Sequence, residues 1–390
     1  MARWQKRQDF LPTQTGTSAA AGAAGTLFGQ TFRWEITREF PIEAIFIKAE
    51  ITAFNSGLTP GAPAASTSQA YIGDGPWNLL KRIQVTIADG ARTRNCVDIT
   101  GIGLAEYYRQ ISGSLPGIMA TPPVDHPTSG TYAGNTSHFM WPIPFVLPNL
   151  SDPIASCLLL PAPRYNSNII LNVQMAAALT DVFNYTTNKP NLEVKLTPVI
   201  IRRDVRDPNW TYLDSELTEM SISPTIGGSN QMYELQIPGS YTGMLLRGYR
   251  GATARGDISM VTGYGTAASA TFGEYSLRLL GNVIRRNKWV QQTYENDLSI
   301  FDVARPSNLY GGTIDQAHAS MFWDFLNDHP GQEADHFGSV LDTNPLMATG
   351  ARLQLFLDCA AGLTTPSVQL VSHRIFGDLS SFKPSKAAAA

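Results

Sequence analysis

Ile83-Gln84-Val85-Thr86-Ile87-Ala88-Asp89-Gly90-Ala91-Arg92-Thr93-Arg94-Asn95 alternates apolar and polar residues and then turns at Asp-Gly. That is the pattern of a β-hairpin with one buried face. It returns without a gap at Tyr275-Ser276-Leu277-Arg278-Leu279-Leu280-Gly281-Asn282-Val283-Ile284-Arg285-Arg286-Asn287. Val85 then falls on Leu277, Ile87 on Leu279, Asp89-Gly90 on Gly281-Asn282, and Arg94-Asn95 on Arg286-Asn287. The expectation is one β module used twice in a single chain.

Working outward, further pairs follow in the same order. Phe32–Ile36 and Ala44–Phe54 alternate and read as strands, as do Met232–Ile237 and Gly243–Tyr249. Asn168–Met175 matches Arg352–Leu357, and Leu192–Arg202 matches Ser367–Ile375. Long loops rich in Gly, Pro, Ala and Ser fall between them, at 55–75, 112–137 and 251–270. Ile102–Ile111 reads as a helix, and Ile314–Leu326 as a second. Each half holds roughly eight short strands, and eight antiparallel strands with long connections suit two sheets packed face to face. The predicted fold is all-β: two tandem eight-stranded jelly rolls with short helices in the loops. Parallel α/β is disfavoured because helices do not alternate with strands. A propeller is excluded because the period is about 190 residues rather than about 45. The predicted organisation is a flexible N-terminal arm at 1–29, a first jelly roll at 30–205, a junction at 206–217, a second jelly roll at 218–380 and a tail at 381–390.

Composition agrees. A chain of 390 residues suits two domains. Hydrophobic residues make up 43% and charged residues 16%, so much of the surface is uncharged polar or engaged with partners. The net charge of −3 argues against a chain built to grip nucleic acid along its length. Cys96, Cys157 and Cys359 lie far apart without CxxC, so buried thiols in a reducing compartment are expected. No signal peptide and no membrane span is read. The arm begins basic, with Arg3, Trp4, Lys6 and Arg7, and continues through the small residues 13–27. It reads either as disordered or as an arm that orders against a neighbour or an anionic surface.

Two successive β modules behind a basic arm resemble the double jelly-roll major capsid proteins of tailless icosahedral bacteriophages and related viruses. The resemblance spans about residues 30–380 at the level of element order. It rests on the hairpin pair and the two closing strand pairs. It implies a homotrimer whose six jelly rolls make a pseudo-hexagonal tile in a virion shell, made in the host cytoplasm. It also implies lateral trimer–trimer contacts and minor capsid and vertex proteins as partners, and leaves an internal membrane open. Sequence-specific nucleic-acid binding is not implied. Low charge and abundant small polar residues suit broad tile contacts. Two other readings stay open: a viral spike or carbohydrate- or receptor-binding β protein, and a bicupin-like metalloenzyme. The second is disfavoured because His126 and His138 find no matching arrangement among His318, His329, His336 and His373.

Chemistry-bearing patterns are sparse. His329-Pro330-Gly331-Gln332-Glu333-Ala334-Asp335-His336, with Asp324 and Asp328 upstream, is dense in ligands but lacks HExxH and EF-hand spacing, and reads as a loop. There is no GxSxG. Gly101-Ile102-Gly103 lacks a phosphate-binding context. Arg255-Gly256-Asp257 suits a plain turn. No catalytic residue, metal or cofactor is predicted, and the chain is not read as an enzyme. The residues singled out as inter-subunit or inner-surface contacts are Arg3, Trp4, Lys6, Arg7 and the hairpin arginines Arg92, Arg94, Arg285 and Arg286.

Overall fold

The computed structural model describes residues 6–18, 25–54, 70–71, 75–90, 92–112, 135–147, 156–184, 191–204, 211–249, 272–288, 320–326, 340–344, 350–359, 361–362 and 365–377. The chain divides into two compact units. The first holds residues 1–146 and 159–210, the second 147–158 and 211–390. Residues 147–158, expected in the first module, thus belong to the second unit. There the Leu213 N–H donates to the Cys157 carbonyl at 2.7 Å.

In the first unit the strands are β1 (Lys6–Phe10), β2 (Gln14–Thr17), β3 (Thr31–Ile36), β4 (Ile42–Phe54), β5 (Ala70–Tyr71), β6 (Leu80–Asp89), β7 (Arg92–Ile99), β8 (Asn135–Pro144), β9 (Ile169–Met175), β10 (Phe183–Asn184) and β11 (Asn191–Arg203). One antiparallel sheet runs β1-β11-β4-β8, with β2 continuing along β11. The other runs β7-β6-β9-β3. The second unit contains β12 (Asp214–Ile222), β13 (Gln231–Glu234), β14 (Ser240–Tyr249), β15 (Phe272–Leu279), β16 (Asn282–Lys288), β17 (Ser320–Asp324), β18 (Leu341–Asp342), β19 (Leu353–Cys359) and β20 (Ser367–Phe376). Its sheets run β12-β20-β14-β17 and β13-β19-β15-β16. With the two-residue strands β5, β10 and β18 set aside and β1 and β2 counted as one, eight strands remain in each unit; numbered in order, both units show first-eighth-third-sixth in one sheet and second-seventh-fourth-fifth in the other. That is the jelly-roll order, present twice. The hairpins β6–β7 and β15–β16 are the fourth and fifth strands, β9 and β19 the seventh, β11 and β20 the eighth. The strand pairs read from sequence therefore occupy equivalent places.

Alternation builds these strands. IILNVQM of β9 and LQLFLDC of β19 share one pattern, with every second residue buried. In the second unit Tyr241, Met244 and Leu246 of β14 meet Tyr275 and Leu277 of β15 and Leu353, Leu355 and Leu357 of β19 in one buried cluster, so residues of both sheets share a core. In the first unit Trp141 and Phe139 of β8 stand edge-on to Trp77 of the short helix α1 (Gly75–Asn78), with ring centroids 5.7 Å apart in each case. The helix read at 102–111 is present as α2 (Gly101–Ser112), with Thr100 Oγ1 accepting from the Gly103 N–H at its start. Pro142 and Pro144 sit in β8, which lies at the edge of its sheet path, where the missing N–H does least harm.

Three expectations change. The arm at 1–29 contributes the first strand of the first jelly roll: Lys6–Phe10 and Gln14–Thr17 pair along β11. Their sequences lack apolar alternation, because backbone bonds and ion pairs, not a buried stripe, hold them. Gly16 marks the close approach; a Cβ there would lie 2.9 Å from Phe32 and 3.0 Å from Leu27. The junction also shortens, since Arg203 ends β11 and Asp214 begins β12. Finally, residues 320–324 of the expected second helix form strand β17 against β14. Met321, Phe322 and Trp323 fit a helix or a buried strand equally well by sequence. Residues 314–319 of that stretch lie outside the described residues.

Leu171 and Leu355, both fully buried at the centre of a seventh strand, set the scale of the cores. Either one changed to alanine is expected to lower unfolding free energy by about 3 kcal/mol. Met232→Ala on the half-exposed rim of β13 should change it by less than about 0.5 kcal/mol. Denaturant titration of the three variants checks both.

Candidate functional site

The most densely bonded polar features of the described residues lie at one corner of each jelly roll, where the eighth strand meets the start of the third. In the first unit Ile201 pairs with Ala44 and Arg202 with Ile42, which leaves Glu43 as an extra residue in β4. In the second His373 pairs with Gly243 and Arg374 with Tyr241, which leaves Thr242 extra in β14. Each is a β-bulge, and the two fall at the same place. Even the carbonyl of the bulged residue is used alike. Glu43 O accepts from the Phe145 N–H at 3.1 Å, and Thr242 O from the Phe325 N–H at 3.0 Å. Phe145 and Phe325 each follow the sixth strand and are buried.

Beside each bulge stands a buried arginine. Arg202 donates to Asp9 Oδ2 at 2.6 Å, to Phe40 O and Thr37 O at 3.0 Å each, and to Thr37 Oγ1 at 3.1 Å. Arg374 donates to Glu216 Oε2 at 2.7 Å and to Pro238 O at 3.1 Å, and its guanidinium lies 5.2 Å from the centre of the Phe376 ring. In both cases the acid belongs to the first strand and the carbonyls to the turn between the second and third. One guanidinium thus ties the first strand, the last strand and a turn together, a task its rigid fork of five donors suits.

The neighbours differ. Glu43 receives Arg203 at 2.6 Å and Lys6 at 2.7 Å, and Arg7 bonds Asp9 at 2.7 Å and Glu39 at 3.1 Å. Burial pushes the Glu43 carboxyl upward, but the bonds and charges of Arg203 and Lys6 outweigh it and hold it below its ordinary value. At the second corner Thr242 Oγ1 lies 2.5 Å from His373 Nδ1, and complete burial pushes that imidazole down to about 4.

Lys6 and Arg7, read as contact residues, are therefore engaged within their own unit. Arg3 and Trp4 lie outside the described residues, as do 329–336 and Arg255-Gly256-Asp257. The hairpin arginines remain at the surface in part. Arg92 and Arg286 are exposed and Arg94 is half-buried; Arg285 is half-buried, its guanidinium 5.7 Å from the Phe325 ring centre. Strand register also corrects the alignment of the hairpins by two residues. Asp89 pairs with Arg92 and Leu279 with Asn282, so the first turn begins at Gly90 and the second is Leu280-Gly281. A slip of two keeps every side chain on its face, which is why the sequence pattern tolerated it. Arg94 faces Ile87 and Arg285 faces Leu277, equivalent places, whereas Arg92 and Arg286 are not equivalent.

Sequence reading missed the corner arginines as a pair. The signal was present: Val199-Ile200-Ile201-Arg202 and Val371-Ser372-His373-Arg374 each carry an arginine near the end of the eighth strand, three residues after a buried valine. Among the described residues no group of His, Cys, Asp and Glu is placed to hold a metal ion. A small open pocket of about 40 Å3 is lined by Glu219, Leu235, Tyr241 and Ser372.

No family model and no curated protein matches the sequence. Solved structures do match. The crystal structure of the STIV MCP aligns over 99% of this chain and 100% of its own, with a TM-score of 0.61 at 16% identity. The atomic structure of Sulfolobus Turreted Icosahedral Virus gives 0.61 at 16% identity, over 96% and 92%. A PBCV-1 capsid protein, fitted into the virophage Sputnik, gives 0.50 at 11% identity, over 96% and 94%. These are double jelly-roll proteins, and the chain shares that fold.

Arg202→Ala and Arg374→Ala are each expected to destabilise by about 3 kcal/mol, because an acid and turn carbonyls lose their buried partner. Thermal unfolding of the two variants checks this.

Acid should act in two steps. The unfolded chain protonates His373 near its ordinary 6.5 while the folded chain holds it neutral to about 4, so stability falls between those values, by on the order of 3 kcal/mol. Glu43 adds a further loss as pH drops below its ordinary 4.5, since a carboxylate held low in the folded state stabilises only while ionised. Denaturation midpoints measured against pH should lose the upper step in His373→Asn and part of the lower in Glu43→Gln.

Proposed function

We propose that this chain is a structural protein, the major capsid subunit of a tailless icosahedral virus. One observation carries the reading: two sandwiches of identical strand order and identical corner bulge, in a chain that matches a capsid protein from end to end. A jelly roll leaves few free strand edges, so it resists indiscriminate edge pairing while its rims remain usable for specific contact. Two such units in tandem give a three-fold object a near six-fold outline. That outline lets one kind of trimer fill a closed shell through repeated lateral contacts. Low charge favours broad contacts that form and correct themselves over a few strong ones. Minor capsid and vertex proteins would close the positions that a six-fold tile cannot.

Light scattering coupled to size exclusion should return three times the chain mass of 42.4 kDa, and negative-stain images should show hexagonal plates. A chain that stays monomeric at high concentration would overturn the proposal.

A further inference from the structure

The first strand is held differently in the two units. In the second unit β12 buries Leu217 and Ile222. In the first, β1 buries no side chain: Asp9 is half-buried and the other four residues are exposed. Its one large apolar group, Phe10, is 62% exposed, with the Lys48 ammonium 5.6 Å from its ring centre. A backbone hydrogen bond returns no more free energy than ordering one residue costs, so the ladder to β11 alone leaves β1 near balance. Ions then decide. Lys6 bonds Glu43, Arg7 bonds Asp9 and Glu39, and Asp9 bonds Arg202. The Lys6 and Arg7 side chains are 59% and 55% exposed, so dissolved salt reaches and screens them.

What β1 would leave behind is self-sufficient. Arg202 keeps the carbonyls of Thr37 and Phe40 and the Thr37 hydroxyl, and Glu43 keeps Arg203. Two cations, Arg202 and Arg203, then stand against two acids, Glu39 and Glu43. The chain just beyond β1 is anchored independently. The Pro12 carbonyl accepts from Trp34 Nε1 at 2.7 Å, Gly16 seats against Phe32 and Leu27, and buried Ser18 accepts from the Leu192 N–H at 2.8 Å. Strand β1 is thus a short weakly held segment ahead of a fixed point.

We propose that β1 is a strap over the Val199–Arg203 edge of β11, one that opens alone, without unfolding the sandwich, and whose opening is set by ionic strength. Closed, it masks the backbone groups of that edge; open, it bares them as a ready site for an added strand. The strap belongs to the single chain and stands apart from the shell reading.

Hydrogen exchange of the full-length chain, read peptide by peptide by mass spectrometry, is the test. At about 0.1 M NaCl the bonded amides of residues 6–10 should exchange at least about 100-fold faster than those of 169–175 in β9. Raising NaCl to about 1 M shortens the Debye length from roughly 10 to 3 Å. That should speed the strap about tenfold and leave β9 unchanged. Lys6→Gln combined with Arg7→Gln should exchange at the fast rate already at low salt, and melt within about 2 °C of wild type. A strap that exchanges as slowly as β9 overturns the proposal, and so does a rate that salt does not change. A double variant that melts lower than that margin also overturns it, since β1 would then belong to the cooperative fold. Oligomeric state measured on the same samples bears on the shell reading alone, so either idea can fail without the other.

Discussion

Closing a sandwich sets a problem at its corner. The last strand must slot between the first and the third, and the turn entering the third strand leaves carbonyls that no ladder can satisfy. In both units one arginine answers both needs at once. Arg202 and Arg374 each reach an acid on the first strand and carbonyls of the preceding turn. Taking such a charge out of water is expensive, and it is tolerated because the partners are fixed by backbone geometry. The bulge beside each arginine bends the third strand at the point where this grip is made. The strand order of each unit and the placement of the hairpins follow from that closure.

The corner also shows which parts of a duplicated structure are held and which drift. Backbone register, bulge position, the arginine and the buried phenylalanine are shared. The bulged side chain is not: Glu43 gathers Arg203 and Lys6, whereas Thr242 meets a neutral buried His373. Backbone geometry is constrained by every hydrogen bond of two strands, so it changes little. A side chain at a bulge answers only to its own pocket, so a carboxylate with two cations can be replaced by a hydroxyl with an imidazole. The consequence is a different acid response at each corner, within one architecture.

The same contrast separates the hairpins. One turn uses Gly90 where its φ is positive; the other places an exposed leucine there. The described residues offer no metal cluster. The two units differ at these tips and at the bulged side chains of their corners.

Much of the fold was legible in the sequence. Period-two alternation gives Ile83–Ile87, Ile169–Met175 and Leu353–Leu357 away as strands, because one face of each must be apolar to be buried. The order in which such strands recur was enough to infer one module used twice. The first strand was not legible: Lys6–Phe10 and Gln14–Thr17 bury no apolar stripe, and what holds them lies far along the chain on β11. Strand β17 was misread because Met321-Phe322-Trp323 has no period to decide it until β14 lies alongside. The corner site was invisible for the same reason. Asp9, Phe40 and Arg202 are ordinary residues in sequence, and only sheet pairing brings them within hydrogen-bonding distance. Local pattern therefore determined which segments are strands; long-range register decided which of them touch, and with that the site.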